Sequence, residues 1–153
     1  MTVDFEQRRT SVSRFIAAPP EKIFDVLVDP TLHPVIDGSG TVTGSRTAPG
    51  ERLTMGSKFG MGMKLGIPYR ISNKVVEFEE NRLIAWQHFG KHRWRWELEP
   101  VEGGTNVTET FDWSTSRSPA ALEKAGYPTR HEANIERTLE RLDAYLSHRA
   151  DSL

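Results

Sequence analysis

The side chains able to do chemistry in this chain are few, and most of them sit among aromatic residues. Glu109 is the most informative. In residues 106–112, alternation puts Val107, Glu109 and Phe111 on one face of a strand and Asn106, Thr108, Thr110 and Asp112 on the other. In residues 92–98, His92, Trp94, Trp96 and Leu98 share a face, and Arg93, Arg95 and Glu97 share the opposite one. A four-residue hairpin loop at 101–104 would pair Pro100 with Thr105, setting Leu98 against Val107, Trp96 against Glu109 and Trp94 against Phe111. A carboxylate then lies among indoles. It binds a ligand hydroxyl or amine, acts as an acid or base with a pKa raised by desolvation, or forms a salt bridge to Arg14, which alternation puts on the inner face of the first strand.

The histidines give weaker signals. His88 and His92 have the i, i+4 spacing that holds a metal on a helix, but Phe89-Gly90-Lys91 reads as a connection between strands, so no metal site is expected. A three-residue loop there puts His88 on the inner side with Trp86; a two-residue loop turns both outward, and spacing alone leaves the register open. His33 and Asp37 lie on a Pro- and Gly-rich stretch, where they read as turn formers or as a hydrogen-bonded pair at a pocket mouth. With Gly38 and Gly40 they make up a candidate gate loop. His131-Glu132 begins a zinc-protease pattern, but position 135 is Ile, which ends it. Glycines 38, 40 and 44 lack the strand-to-helix context of a nucleotide loop.

The elements that must position these groups read as follows. Residues 9–16 form a first strand with Val12, Arg14 and Ile16 on one face. Ala17-Ala18-Pro19-Pro20 ends it and opens a helix of about two turns whose apolar face is Ile23, Val26 and Leu27. Residues 30–40 read as loop; residues 41–45 and 51–54 as short strands joined by a turn at 47–50. The stretch 55–72 carries glycine at 56, 60, 62 and 66 and methionine at 55, 61 and 63, a composition suited to a bent strand pair continuing through Tyr69. Ser118 caps a short helix with Pro119 at its first position and Gly126 past its end. A long helix follows over residues 130–148, with Thr129 and Glu132 at capping-box spacing and an apolar stripe of Ile135, Leu139, Leu142 and Leu146.

These elements predict an antiparallel sheet curling around the last helix, with a gap between helix and sheet lined by Met61, Met63, Tyr69, Trp86, Trp94 and Trp96. All four tryptophans fall between positions 86 and 113. A dry gap of ~300 Å³ would cost around 7 kcal/mol, so water or a ligand is expected to fill it. The 153 residues suit a single domain, 1–153, and the net charge of −1 gives no electrostatic reason to expect nucleic acid. There is no cysteine, no apolar N-terminal core and no membrane-length apolar run, so the expectation is a cytoplasmic protein without integral membrane contact.

The opening FIAAPPEKIFDVLVDP, the loop HPVIDGSG, the strands RWRWELEP and GGTNVTETFDW and the long final helix together resemble the START-related (SRPBCC) superfamily, which includes Bet v 1-like and polyketide cyclase/dehydrase-like proteins. The resemblance is nearest to small bacterial members. It implies an α+β helix-grip fold: a seven-stranded curved antiparallel sheet wrapped around a long C-terminal helix, with two short helices after the first strand, the second beginning near Thr31. It also implies an internal cavity for a lipid, polyketide or aromatic metabolite, in a monomer or homodimer. The superfamily has no shared catalytic motif to carry over, and the Rieske centre of its oxygenase members needs cysteine ligands that are absent here. The expected ligand-binding residues are therefore Met61, Met63, Tyr69, Trp86, His88, Trp94, Trp96, Glu109 and Phe111, with no cofactor. The alternative is a polyketide cyclase/dehydratase-type enzyme in which Glu109 and His88 move protons.

Overall fold

The computed structural model describes residues 2–39, 42–45, 52–65, 67–88 and 90–151. Strand β1 (Thr2–Asp4) runs beside β2 (Arg9–Ile16), followed by helix α1 (Pro20–Leu27), a 3-10 turn (Pro30–Leu32) and helix α2 (His33–Ile36). Strands β3 (Val42–Ser45), β4 (Lys58–Leu65), β5 (Ile67–Glu79), β6 (Leu83–Gln87), β7 (Arg93–Val101) and β8 (Gly104–Asp112) then form a meander that leads into α3 (Pro119–Lys124) and α4 (Tyr127–Asp151). The expected seven-stranded curved antiparallel sheet is present, with β1 as an eighth strand at its edge in the order β1-β2-β8-β7-β6-β5-β4-β3. Among the described residues no helix is long and apolar enough to cross a membrane.

Strand pairing aligns the inner face in rows. One row runs Val75, Trp86, Trp94, Phe111, Thr10 from β5 to β2; the next runs Phe78, Ile84, Trp96, Glu109, Val12. A bulge between Val75 and Glu77 lets β5 serve both rows. The β7–β8 register is the one alternation predicts: Trp96 faces Glu109, Trp94 faces Phe111 and Leu98 faces Val107. The loop is tighter than expected, since Val101 pairs with Gly104 and only Glu102 and Gly103 turn the chain, Gly103 at φ +83°. That backbone is open to glycine at no steric cost.

Two helical layers cover the inner face. α4 lies over β2 and β8 and against α2, with Ile135, Leu139 and Leu142 buried and Thr138 beside them. α1 and α2 cover the other half: Phe24 meets Phe78 edge-on at 5.6 Å, and His33 meets Phe59 at 5.5 Å.

Several boundaries differ from the sequence reading. α4 starts at Tyr127, so Thr129 lies in its first turn and does not cap it; Gly126, at φ +79°, separates α3 from α4, and its carbonyl accepts the Arg130 N–H at 3.1 Å. The expected loop over 30–40 contains the 3-10 turn and α2, the former capped by Asp29 accepting the Thr31 N–H at 3.0 Å. Residues 52–54 are irregular: the Leu53 N–H bonds the Val28 carbonyl at 2.8 Å, satisfying an orphan group at the end of α1 in place of a strand partner. The turn at 47–50, Gly40 and Gly66 lie outside the described residues.

Candidate functional site

Glu109 projects from the middle of β8 between Trp96 on β7 and Val12 on β2, with α4 above, and is 6% exposed. Its Oε1 is buried without a hydrogen-bond partner among the described residues, and so is Nε1 of Trp96. Burial, helped by the charge of Asp37, raises its pKa well above the ordinary 4.5, which favours the protonated form, able to donate a proton. The salt bridge to Arg14 does not form. Arg14 stands one row away, opposite Val107, and its Nε reaches Asp143 on α4 at 2.8 Å in a part-exposed pair. Alternation gave Arg14 the right face of the sheet but not its distance from Glu109.

Around the acid is a wall of rings. Phe111, buried, lies 5.0 Å from Trp94, 5.3 Å from His92 and 4.5 Å from His131; His131 in turn meets Trp94 at 4.9 Å and stacks on Tyr127 at 5.5 Å. His131, on the first turns of α4, is a member of this wall that the sequence reading passed over. Its only sequence signal was four-residue spacing to Ile135, which puts it at the head of the buried stripe. The last β6–β7 pair is Gln87 with Arg93, so the connection is longer than either the two- or the three-residue loop expected; the His88 ring nevertheless lies 4.3 Å from that of His92, which meets Phe111 on the inner face. Burial lowers the pKa of His88, and brings His92 and His131 to about 4; neighbouring cations and imidazoles add to the effect on the last two. Among the described residues no three His, Asp or Glu side chains converge as metal ligands.

His33 and Trp86 belong together in a different role. The His33 Nε2–H donates to the Leu27 carbonyl at 2.8 Å, its ring stacks on Trp86 at 4.8 Å, and burial holds its pKa near 4. It staples α2 to α1 and to the sheet. Gly38 is also a packing residue: its N–H donates to Thr138 Oγ1 at 2.8 Å, its carbonyl accepts from Arg137 Nε at 2.9 Å, and a Cβ there would stand 2.6 Å from Arg137 Cβ. Asp37 accepts hydrogen bonds from the Ser39 N–H and hydroxyl. Gly38 thus ties the expected gate loop to α4 by two hydrogen bonds.

Of the other expected lining residues, Met61 is buried in the core, Met63 packs half-buried against it, and Tyr69, opposite Met63, is 40% exposed toward the far end of β5. Two clefts lined by described residues, of about 270 and 330 Å³, open at the end and on the outer surface of the sheet.

Residues 7–147 match the family described as polyketide cyclase / dehydrase and lipid transport. The chain is 41% identical over 154 residues to the uncharacterized protein Rv0088 of Mycobacterium tuberculosis, covering 97% of this chain and 69% of that protein. Among solved structures, protein Ms6760 from Mycobacterium smegmatis superposes with a TM-score of 0.73 at 16% identity, covering 96% of each chain. NE0264 from Nitrosomonas europaea gives 0.74 at 17% identity, over 97% of this chain and 99% of that one. These structures share the fold.

Proposed function

The chain belongs to the polyketide cyclase/dehydrase and lipid transport family, whose fold binds hydrophobic ligands, and we propose that this one, as a single cytoplasmic ligand-binding domain, takes up a small apolar molecule bearing one carbonyl or hydroxyl oxygen. The observation that carries this reading is the pair of buried, unpartnered groups, Trp96 Nε1 and Glu109 Oε1, side by side on the inner face. A buried polar atom without a partner costs about 1–3 kcal/mol, and a ligand oxygen accepting from the indole N–H and the carboxylic acid would relieve both at once. The ring wall of Phe111, Trp94 and His131 supplies the apolar contact. The protein would act as a monomer or homodimer.

The test is a solvatochromic apolar ketone, 6-propionyl-2-dimethylaminonaphthalene, whose emission moves to the red when its carbonyl accepts a hydrogen bond. Saturable binding is expected, with the bound emission to the blue of the probe in water and to the red of the probe in alkane. Trp96→Phe and Glu109→Met should weaken it about five- to tenfold and shift the emission of the bound probe to the blue. Unchanged affinity and emission in both variants would sink the reading.

An enzyme of cyclase or dehydratase type using Glu109 and His88 is the second reading, favoured by a buried, unpartnered carboxyl whose pKa burial raises, two residues along β8 from the ring wall that holds the histidines. In a dehydration, a base takes the proton α to a carbonyl, the double bond forms, and the β-hydroxyl leaves as water with the proton of Glu109; His131, over Phe111 two residues along β8 from Glu109, is better placed as that base than His88, which lies two rows away. Glu109→Gln keeps a hydrogen-bond donor and removes the transferable proton. Retained binding with lost turnover would mark catalysis.

A further inference from the structure

The cleft of about 270 Å³ at the end of the sheet, where β4 begins and β6 runs out, has a lining unlike the rest of the molecule. Lys58, Lys74, Lys91 and Arg117 contribute four positive charges to it, and no carboxylate lines it among the described residues, in a chain whose net charge is −1. Lys58 and Lys74 are direct cross-strand partners, an arrangement of like charges that destabilises a sheet unless an anion lies between them. Lys91 adopts a left-handed backbone at φ 69°, where glycine would be unstrained and lysine is not. The turn that imposes this is well tied. The Lys91 N–H donates to the His88 carbonyl at 2.9 Å, Thr115 Oγ1 to the Lys91 carbonyl at 2.6 Å, and the Arg117 N–H to the Gly90 carbonyl at 3.0 Å. Two distant parts of the chain are thereby fixed so that both bring a cation to one cleft.

Two residues that line the cleft, Asn73 and His88, adjoin the inner face. Asn73, 4% exposed, sits opposite Phe59 in the ladder, and His88 leads through His92 to Phe111, the centre of the ring wall. A volume of about 270 Å³ lies below the ~300–1,000 Å³ of a whole small-molecule site and suits one polar end of a ligand. We propose that this cleft binds an oxyanion, carboxylate or phosphate, carried at one end of the interior ligand, which makes that ligand an amphipathic acid. The headgroup role rests on the interior-ligand reading above; the anion site does not.

The experiment is calorimetric titration of the full chain with octanoate, octyl phosphate, octanol and inorganic phosphate. The variants are the double Lys58→Gln/Lys74→Gln, Lys91→Gly, and Trp96→Phe as the interior control. Octanoate and octyl phosphate should bind the parent about tenfold more tightly than octanol, an advantage that shrinks as salt rises. The double lysine variant should bring them down to the octanol affinity without altering octanol itself. Lys91→Gly should lower anion affinity while raising the melting temperature, since glycine takes the left-handed backbone freely; that combination separates lost charge from damaged fold. Trp96→Phe should weaken octanol, whose lone hydroxyl takes the interior donor, and leave octanoate and octyl phosphate, whose alkyl ends carry no oxygen, within about twofold. Equal affinity of the parent for octanoate and octanol, or an anion preference that survives the lysine substitutions, would overturn the proposal. Binding of inorganic phosphate with no binding of any amphiphile would uphold the anion site and overturn both its headgroup role and the interior reading. No binding of any probe would overturn both readings.

Discussion

Replacing Glu109 by glutamine tests the buried acid directly, because stability should change with pH in a way few other substitutions share. In the folded chain burial and the charge of Asp37 keep Glu109 protonated, whereas the unfolded chain ionises it above about 4.5. Above that pH the folded state holds the extra proton, so stability falls as pH rises. The slope is about 1.4 kcal/mol per pH unit for as long as folded Glu109 stays neutral. His33, His92 and His131, held near 4 when folded against an ordinary 6.5, act in the opposite sense: the unfolded chain binds more protons between those values, and stability rises with pH there. Parent and Glu109→Gln share these histidines, so the difference between the two isolates the carboxyl. Urea unfolding followed by tryptophan emission, at steps between about pH 5 and 6.5, reads it out. With a denaturant slope of about 1–3 kcal/mol per molar, the midpoint of the glutamine variant should gain on the parent by about 0.5–1.4 M for each pH unit. A gap that stays constant with pH would mean that Glu109 is ionised in the folded protein, and the account of a buried proton donor would fall.

Two further outcomes follow from the packing. Gly38→Ala should lower stability by about 1–3 kcal/mol, because its Cβ would stand 2.6 Å from both Arg137 Cβ and Thr138 N on α4; thermal unfolding checks this, and an unchanged melting temperature would restore the loop as a free gate. Arg14→Met, which removes the part-exposed pair with Asp143, should cost no more than about 1 kcal/mol. Its effect should add to that of Glu109→Gln; coupling in the double-mutant cycle would bring back the Arg14–Glu109 pair.

How far the site could be read from sequence depended on how local each contact is. The facing of Trp96 and Glu109 followed from alternation and a short glycine turn, because a hairpin carries its register within about a dozen residues. The partner of Arg14 did not, since it depends on where α4 crosses the sheet, more than a hundred positions along the chain. His131 was missed for the same reason, compounded by starting the helix at Arg130: a histidine at the frayed end of a helix reads as solvated, one inside it and above Phe111 does not. The closeness of Gly38 to α4, which bears on the expected gate, is a steric fact that no local pattern encodes. The basic cleft collects lysines from three separate stretches whose charges look unremarkable one at a time.

The pairing of β2 with β8, Arg9 opposite Asp112 through Ile16 opposite Thr105, has a consequence for how the chain assembles. Strands β4 to β8 join neighbours in sequence and can zip as successive hairpins, but β2 has no ladder partner on that side until about a hundred further residues exist. Closing so long a loop is entropically expensive and slow, which puts this union late in folding, together with the docking of α4 across it. While a nascent chain grows, β2 must wait as an open edge. Its sequence suits the delay: Ser11, Ser13 and Arg14 interrupt its apolar positions, making it a poor template for strands of other chains. When β8 arrives, the hydroxyls of Ser11 and Ser13 meet those of Thr110 and Thr108 at 2.9 and 2.7 Å, so the residues that discourage premature association help to select the correct partner.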